Sequence, residues 1–262
     1  MITIRPFRAW RPAPDKAHLV GSRSFVNYTP DELEARLRGN PFSFLHIVHP
    51  DMGRDVHLTA HERFRRVRRK FESFCNEGIL QRDANPGLHV YQQDVDGRSS
   101  RGVIAAVAVA DYTAGRIRTH EQTLTARETL FERYLAATGI NAEPVLLASP
   151  DAPMLDAELD RITLLRPDFD FSTTDRIRHR LWAVSDPATI HELQEQFRAM
   201  DALCIADGHH RCASSAALTR DSEATGTDPL ASFLAFIVPR SHLYIYNFDR
   251  LVVDQEIPEG PA

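Results

Sequence analysis

Cysteine is scarce in this chain and poorly placed for cross-linking. Cys75, Cys204 and Cys212 are the only three in 262 residues. An odd number at wide spacings excludes a disulfide framework and points to a reducing compartment, the cytoplasm. Long apolar runs are missing too. No stretch approaches the roughly 20 residues that a membrane span needs, and Arg5 and Arg8 have no apolar core behind them, so no signal peptide is expected. Nor is there a large excess of one charge: 31 basic and 36 acidic residues leave a net −5, which argues against a general nucleic-acid binder. Neither G-x-G-x-x-G nor G-x-x-x-x-G-K-[ST] occurs, which removes the pattern for dinucleotide-binding and P-loop chemistry. Internal repeats and low-complexity segments are also lacking.

What remains is an ordinary globular composition, 43% hydrophobic and 26% charged. The length allows one large domain or two smaller ones. The expected division is an N-terminal α/β portion over 1–150 and a C-terminal portion over 151–262, which can equally form one compact unit. The pattern predicts a mixed α/β (α+β) fold, a mixed sheet flanked by helices, without the regular alternation of a doubly wound sheet. Thr29-Pro30-Asp31-Glu32 starts a helix that Gly39 ends. Residues 44–48 read as a strand. Phe64, Val67, Phe71 and Phe74 recur at helical spacing within a helix over 57–77, whose basic face (Arg65, Arg66, Arg68, Arg69, Lys70) reads as solvated. Residues 88–95 and 101–110 read as strands joined through Asp96-Gly97 by a somewhat extended hairpin loop. A polar irregular stretch over 111–126 precedes a helix over 126–137. Further strands are expected over 144–148, 178–184, 203–206, 233–238 and 243–253, with helices over 156–163, 188–199 and from Arg211 to about 219.

The segment from Cys204 to Leu218 carries the most chemistry. A short apolar run ends in Asp207-Gly208, passes through His209, His210 and Arg211, and enters an alanine-rich helix-forming run. Strand, tight turn and helix N-terminus in that order present unpaired backbone N–H groups and the positive end of the helix dipole. Gly208 permits close approach of a ligand, and Arg211 offers a fork of donors suited to phosphate oxygens. The alternative is an Asp-Gly turn with surface or core histidines and no ligand. Asp207 suits a turn-ordering role. A metal is not expected here: adjacent histidines project apart, and no ligand set with metal spacing lies near them in sequence. Cys204 is expected to be buried in its strand, and Cys212 to have its thiol pKa lowered by a helix N-terminus. Upstream, His120-Glu121-Gln122-Thr123 lies on a polar stretch after a buried strand, where Glu121, with His120 beside it, can act as a base or hold Mg²⁺ and Thr123 can contact a substrate. The plainer reading is a hydrogen bond between Glu121 and Thr123 that shapes a turn.

Several stretches carry a resemblance. They are Arg5-Pro6-Phe7-Arg8-Ala9, residues 40–46, Gly115-Arg116-Ile117 with His120-Glu121-Gln122-Thr123, Ala137-Thr138-Gly139 with Glu143-Pro144-Val145, His179-Arg180-Leu181-Trp182, and residues 205–211. In this order, over nearly the whole chain, they resemble a bacterial and archaeal family of uncharacterised proteins, domain-of-unknown-function family 1015. Asp207-Gly208-His209-His210-Arg211 is also similar to the phosphate-binding motif of the ParB/sulfiredoxin superfamily. That likeness implies a ParB/sulfiredoxin-like nucleotide-binding portion and ATP- or ADP-dependent phosphorylation of a free amino-acid hydroxyl such as L-serine. It assigns Asp207 to Arg211 to the phosphates, Glu121 with His120 to catalysis, Thr123 to the substrate and Mg²⁺ to charge neutralisation. Implied partners are a nucleotide and a small substrate, not a membrane. A homo-oligomer is compatible with the sequence.

A catalytically reduced, nucleotide- or phosphate-binding switch of ParB-like type is the alternative. It draws on two departures. Residues 21–25 lack the acid of the family's N-terminal segment, and Leu124 and Phe131 stand where arginines are common. Family members also extend further at the C-terminus, so a reduced or missing terminal portion is expected. Sulfiredoxin-like redox chemistry is disfavoured because histidine occupies the turn position where cysteine would be needed.

Overall fold

Among the described residues nine strands meet in one mixed sheet, to which both halves of the chain contribute. The computed structural model describes residues 1–23, 28–50 and 58–244. In chain order the elements are β1 (Ile4–Arg5), β2 (Trp10–Pro12), α1 (Ala17–Val20), α2 (Pro30–Gly39), α3 (Leu45–Val48), α4 (Ala60–Asn76), β3 (Leu80–Arg82), β4 (Leu88–Val95) and β5 (Arg98–Ala108). There follow α5 (Val109–Thr113), β6 (Ile117–Arg118), α6 (Thr125–Thr138), β7 (Val145–Ser149), α7 (Pro153–Thr163), β8 (Phe169–Ser172) and β9 (Arg178–Val184). The last are α8 (Pro187–Arg198), β10 (Leu203–Asp207), α9 (His209–Asp221) and β11 (Ser232–Pro239). The sheet order is β6-β10-β7-β11-β5-β4-β9-β8, with β1 also on β5; β2 and β3 pair separately. β6 with β10 and β7 with β11 are parallel, and the other pairs are antiparallel. The sheet draws β1 and β4–β7 from residues 1–150 and β8–β11 from residues 151–262.

Local signals account for many boundaries. Thr29 and Thr59 each accept the amide three residues on, while Glu32 and Glu62 bond back to the cap, two complete capping boxes. Asp186 caps α8 through the Thr189 amide. Two expectations need correction. Residues 44–48 are not a strand: Leu45–Val48 forms one helical turn, α3, behind Ser43, whose hydroxyl accepts the Leu45 amide at 3.3 Å. So short an apolar run has no period of its own, and local side-chain bonds decided it. The hairpin at Asp96-Gly97 is not extended either. Asp96 at φ 49° and Gly97 at φ 74° form a two-residue turn, and Val95 pairs directly with Arg98. The polar residues 98–100 therefore belong to β5. Of the strand expected over 243–253, Leu243 and Tyr244 are in no strand, and the remainder lies outside the described residues, as do His57 and part of the 21–25 stretch.

Alternation along the central strands gives the sheet two different faces. One carries Leu88, Val90, Val103, Ala105 and Ile237, packed with Leu155 and Leu159 of α7 and Leu193 and Phe197 of α8. Each fully buried leucine or phenylalanine contributes roughly 1.5–3 kcal/mol. The other face presents His89, Tyr91, Gln93, Ile104 and His179 to a cleft of about 1000 Å³. Across the cleft, Val20, Phe44, Phe71 and Ile140 belong to or pack on a second core, which also holds Val67 and Phe74 of α4. The outer face of α4 is solvated, with Arg65, Arg68 and Arg69 exposed and Arg68 paired to Glu72 at 3.0 Å. Among the described residues no helix is long and apolar enough to cross a membrane.

Candidate functional site

Parallel pairing builds the site. Leu203 lies beside Ile117 and Cys204 beside Arg118, so β6 and β10 run side by side in one direction. The segments that leave them must emerge at the same end of the sheet. They are the loop over 119–124 and the turn at Gly208. The register of β10 against β7 shifts between Ile205 and Asp207, an irregularity that changes the strand's course just before the turn. Gly208 then adopts φ 99°, a left-handed conformation that costs glycine little. It is the N-cap of α9 and supplies no side-chain cap. The Arg211 and Cys212 amides bond the Gly208 carbonyl at 3.0 and 3.1 Å. The amides of His209 and His210 precede the first intrahelical bonds, so the helix itself gives them no acceptor.

The expected site residues converge here, though not all in their expected roles. His209 is buried at 4% exposure. One of its ring nitrogens, Nδ1, lies 3.7 Å from a Glu121 carboxylate oxygen, and Nε2 accepts the His120 amide at a long 3.5 Å. The His120 ring stands edge-on to it, centroids 4.5 Å apart. Burial, then the nearby His120, hold the His209 pKa below the ordinary histidine value against the opposing pull of Glu121 and Asp207, so the ring is neutral near pH 7. His210 is half-buried, with Nδ1 lacking a hydrogen-bond partner. Thr123 donates to Glu128 in the first turn of α6 and so shapes the helix start.

Arg211 does not extend as a free fork. Its guanidinium donates to the Pro144 carbonyl, to Asp207 at 2.9 Å, and reaches Glu143 at 3.1 Å. A Cβ on Gly208 would sit 3.2 Å from its Nη1, so the side chain folds tightly over the turn. Arginine and its two carboxylates therefore pin the turn to the segment just before β7. Residues 139–142, immediately before Glu143, line the cleft. The same clamp thus ties the cleft wall to the start of α9. Sequence reasoning assigned no role to Glu143; its place in the resemblance block was the one available signal.

Within the cleft, burial raises the Tyr91 pKa to about 12, so its hydroxyl keeps its proton and donates to His179 Nδ1 at 2.7 Å. Burial also lowers the His179 pKa, keeping that ring neutral. Its Nε2 lies 3.3 Å from the Thr173 hydroxyl, which in turn bonds Asp175. This relay was not foreseen, because its members come from separate strands and the following turn.

The cysteine expectations are reversed. Cys204 is exposed, because alternation turns Leu203 and Ile205 inward instead. Cys212 is fully buried, and desolvation raises its pKa to about 12, outweighing the neighbouring Arg211. Nothing in that setting favours a thiolate. In the native protein a thiol reagent is expected to label Cys204 readily and Cys212 only on unfolding. Peptide mapping after a short labelling pulse checks this; early modification of Cys212 would contradict the burial.

Leu124 occupies the N-cap of α6 at φ −89° and ψ 120°, without a side-chain cap, and is 61% exposed. Leu124→Asp is expected to stabilise the fold by about 1 kcal/mol, since an acceptor gained there loses little packing. The check is a rise in thermal midpoint of roughly 2–4 °C.

His120, Glu121 and His209 offer ligand atoms that all lie within 4.8 Å of one another. The expectation of no ligand set looked along the sequence, whereas these residues meet only through the sheet. Two imidazoles and one carboxylate do not suit Mg²⁺, which takes oxygen donors. The Mg²⁺ implied by the resemblance therefore does not fit this donor set.

No curated protein matches this chain, and no solved structure does. A family profile described as "Protein of unknown function (DUF1015)" matches residues 4–259. That span takes in β1, the cleft strands, the loop over 119–124 and the turn at Gly208, and the chain belongs to the DUF1015 family.

Proposed function

We propose that this protein binds a nucleotide through the start of α9 and transfers its terminal phosphoryl group to the hydroxyl of a small acceptor such as free L-serine. One observation carries the reading: the loop bearing His120 and Glu121 lies against the uncapped N-terminus of α9, with Glu121 3.7 Å from His209. The His209 and His210 amides hold phosphate oxygens with the favourable end of the helix dipole. Glu121, exposed and on a loop, takes the acceptor's proton, while neutral His209 orients its carboxylate. Arg211 serves indirectly, by fixing the turn. ATP or ADP fits this arrangement because the first amides of a helix and its dipole favour an anion; Mg²⁺ has no role derived from these residues.

The test is calorimetric titration with ATP, ADP and CTP, followed by an assay for O-phosphoserine. Wild type is expected to bind one of the three and form product. Glu121→Gln is expected to keep binding and lose at least 100-fold in turnover. Failure of the folded wild type to bind any of them would sink the reading. One observation favours binding without turnover: Leu124 and Phe131, at places where the resemblance expects arginines, leave exposed apolar surface on and just before α6. Nucleotide binding without product would select that second reading.

A further inference from the structure

We propose that His120, Glu121 and His209 form a binding site for a divalent transition metal of the Zn²⁺ type. The inference does not depend on nucleotide binding. It begins with donor chemistry. Two imidazoles and one carboxylate make up a three-ligand set of the kind Zn²⁺ takes when a further position is left for water or substrate. Imidazole nitrogen discriminates strongly in favour of Zn²⁺ and its first-row neighbours over Mg²⁺.

Geometry agrees. Ligand atoms around a tetrahedral Zn²⁺ at 2.0–2.1 Å lie about 3.3 Å apart. The three here are already within 4.8 Å. Closing the difference requires only side-chain rotation of His120 and Glu121, both exposed on a loop. His209 is the fixed member, buried at 4% and seated at the first position of α9. Its hydrogen bonds are weak for so buried a ring, a 3.5 Å contact from the His120 amide and a 3.7 Å approach to Glu121. A metal would give one of its two ring nitrogens a stronger partner.

The surroundings define the ligand that would complete the coordination. His209 opens α9, so the metal would stand beside the start of the helix, whose first amides have no partner within it. An anionic oxygen donor, carboxylate or phosphate, can reach metal and amides together. Glu121 ligating through one oxygen keeps its second oxygen free. The site and the anion cradle therefore do not compete for the same groups.

The experiment uses the full chain, stripped with chelator and free of nucleotide, in a Cys204→Ser background so that the exposed thiol takes no metal. Zn²⁺ and Mg²⁺ are titrated calorimetrically, and Co²⁺ is followed by its visible absorption, which reports coordination directly. The expected result is one Zn²⁺ per chain, bound at least 100-fold more tightly than Mg²⁺, and a Co²⁺ spectrum of low coordination number. His120→Ala and Glu121→Gln alter exposed side chains, and each is expected to weaken Zn²⁺ at least 10-fold while leaving the metal-free thermal midpoint unchanged. Zn²⁺ affinity untouched by both variants, Mg²⁺ bound as tightly as Zn²⁺, or no binding in the millimolar range would each overturn the proposal. A failure to bind nucleotide would leave these outcomes unchanged, so the two readings fall separately.

Discussion

Gly102→Ala is expected to destabilise this protein by about 3 kcal/mol or more, the upper part of the range for overpacking. A Cβ at Gly102 would lie 2.1 Å from the carbonyl oxygen of Ile237 and 2.9 Å from its carbonyl carbon. Both atoms are backbone, so no rotamer change can relieve the clash. β5 and β11 would have to move apart where Val103 pairs with Ile237, at the middle of the sheet and over its main core. The midpoint in a urea or thermal melt should fall by roughly 6–12 °C or its denaturant equivalent. A variant melting within 1–2 °C of wild type would mean that the two strands are less closely apposed than described. Gly97→Ala is the control. Its Cβ would meet nothing within 4 Å, so its cost arises from the positive φ of 74° alone.

The second large effect is expected at Arg211. Removing its guanidinium in Arg211→Ala leaves the Pro144 carbonyl without its donor and sets Glu143 and Asp207 beside each other with no cation between them. The arginine side chain is 21% exposed while both carboxylates are mostly exposed, so water offsets part of the loss. About 1.5–3 kcal/mol of stability is expected to go, the range for hydrogen bonds to charged groups. Anion binding at α9 should fall with it, because the turn that aims the His209 and His210 amides is no longer held. Arg211→Lys keeps the charge but cannot serve three acceptors in a fork, and should restore less than half of either quantity. Paired urea melts and ATP titrations decide the matter. An Arg211→Ala protein of wild-type stability that has lost binding would reassign the side chain to direct ligand contact.

The difference between these two sites shows what the sequence could reveal. Thr29, Asp186 and the periodic Phe64, Val67 and Phe74 were legible because a cap or an amphipathic face is settled within a few residues. The strand–turn–helix run through Gly208 was legible for the same reason. Residues 44–48 were not, because so few apolar residues fit either period. β6 was invisible: two residues form a strand only because β10 lies beside them. With it was hidden the meeting of His120 and His209, 89 residues apart. Arg211 was correctly placed at the turn, but its partners Glu143 and Pro144 lie far away in sequence, in the segment just before β7, and the sequence alone suggested a free phosphate ligand. Cys204 illustrates a smaller failure: an apolar run hides which alternate residues face out.

The placement of β11 has a consequence for how the chain acquires its shape during synthesis. It lies between β7 and β5, and among the described residues no other strand joins these two, so without residues 232–239 the described sheet is two separate ribbons. More than eighty residues separate the end of β7 from the start of β11, so at ribosomal rates of roughly 5–20 residues per second both apolar edges stay unpaired for about 4–16 s. Such edges are templates for intermolecular pairing. A nascent chain of this kind would depend on chaperone shielding until its last central strand emerges, and elongation pauses before residue 232 should lower its soluble yield more than pauses after 239.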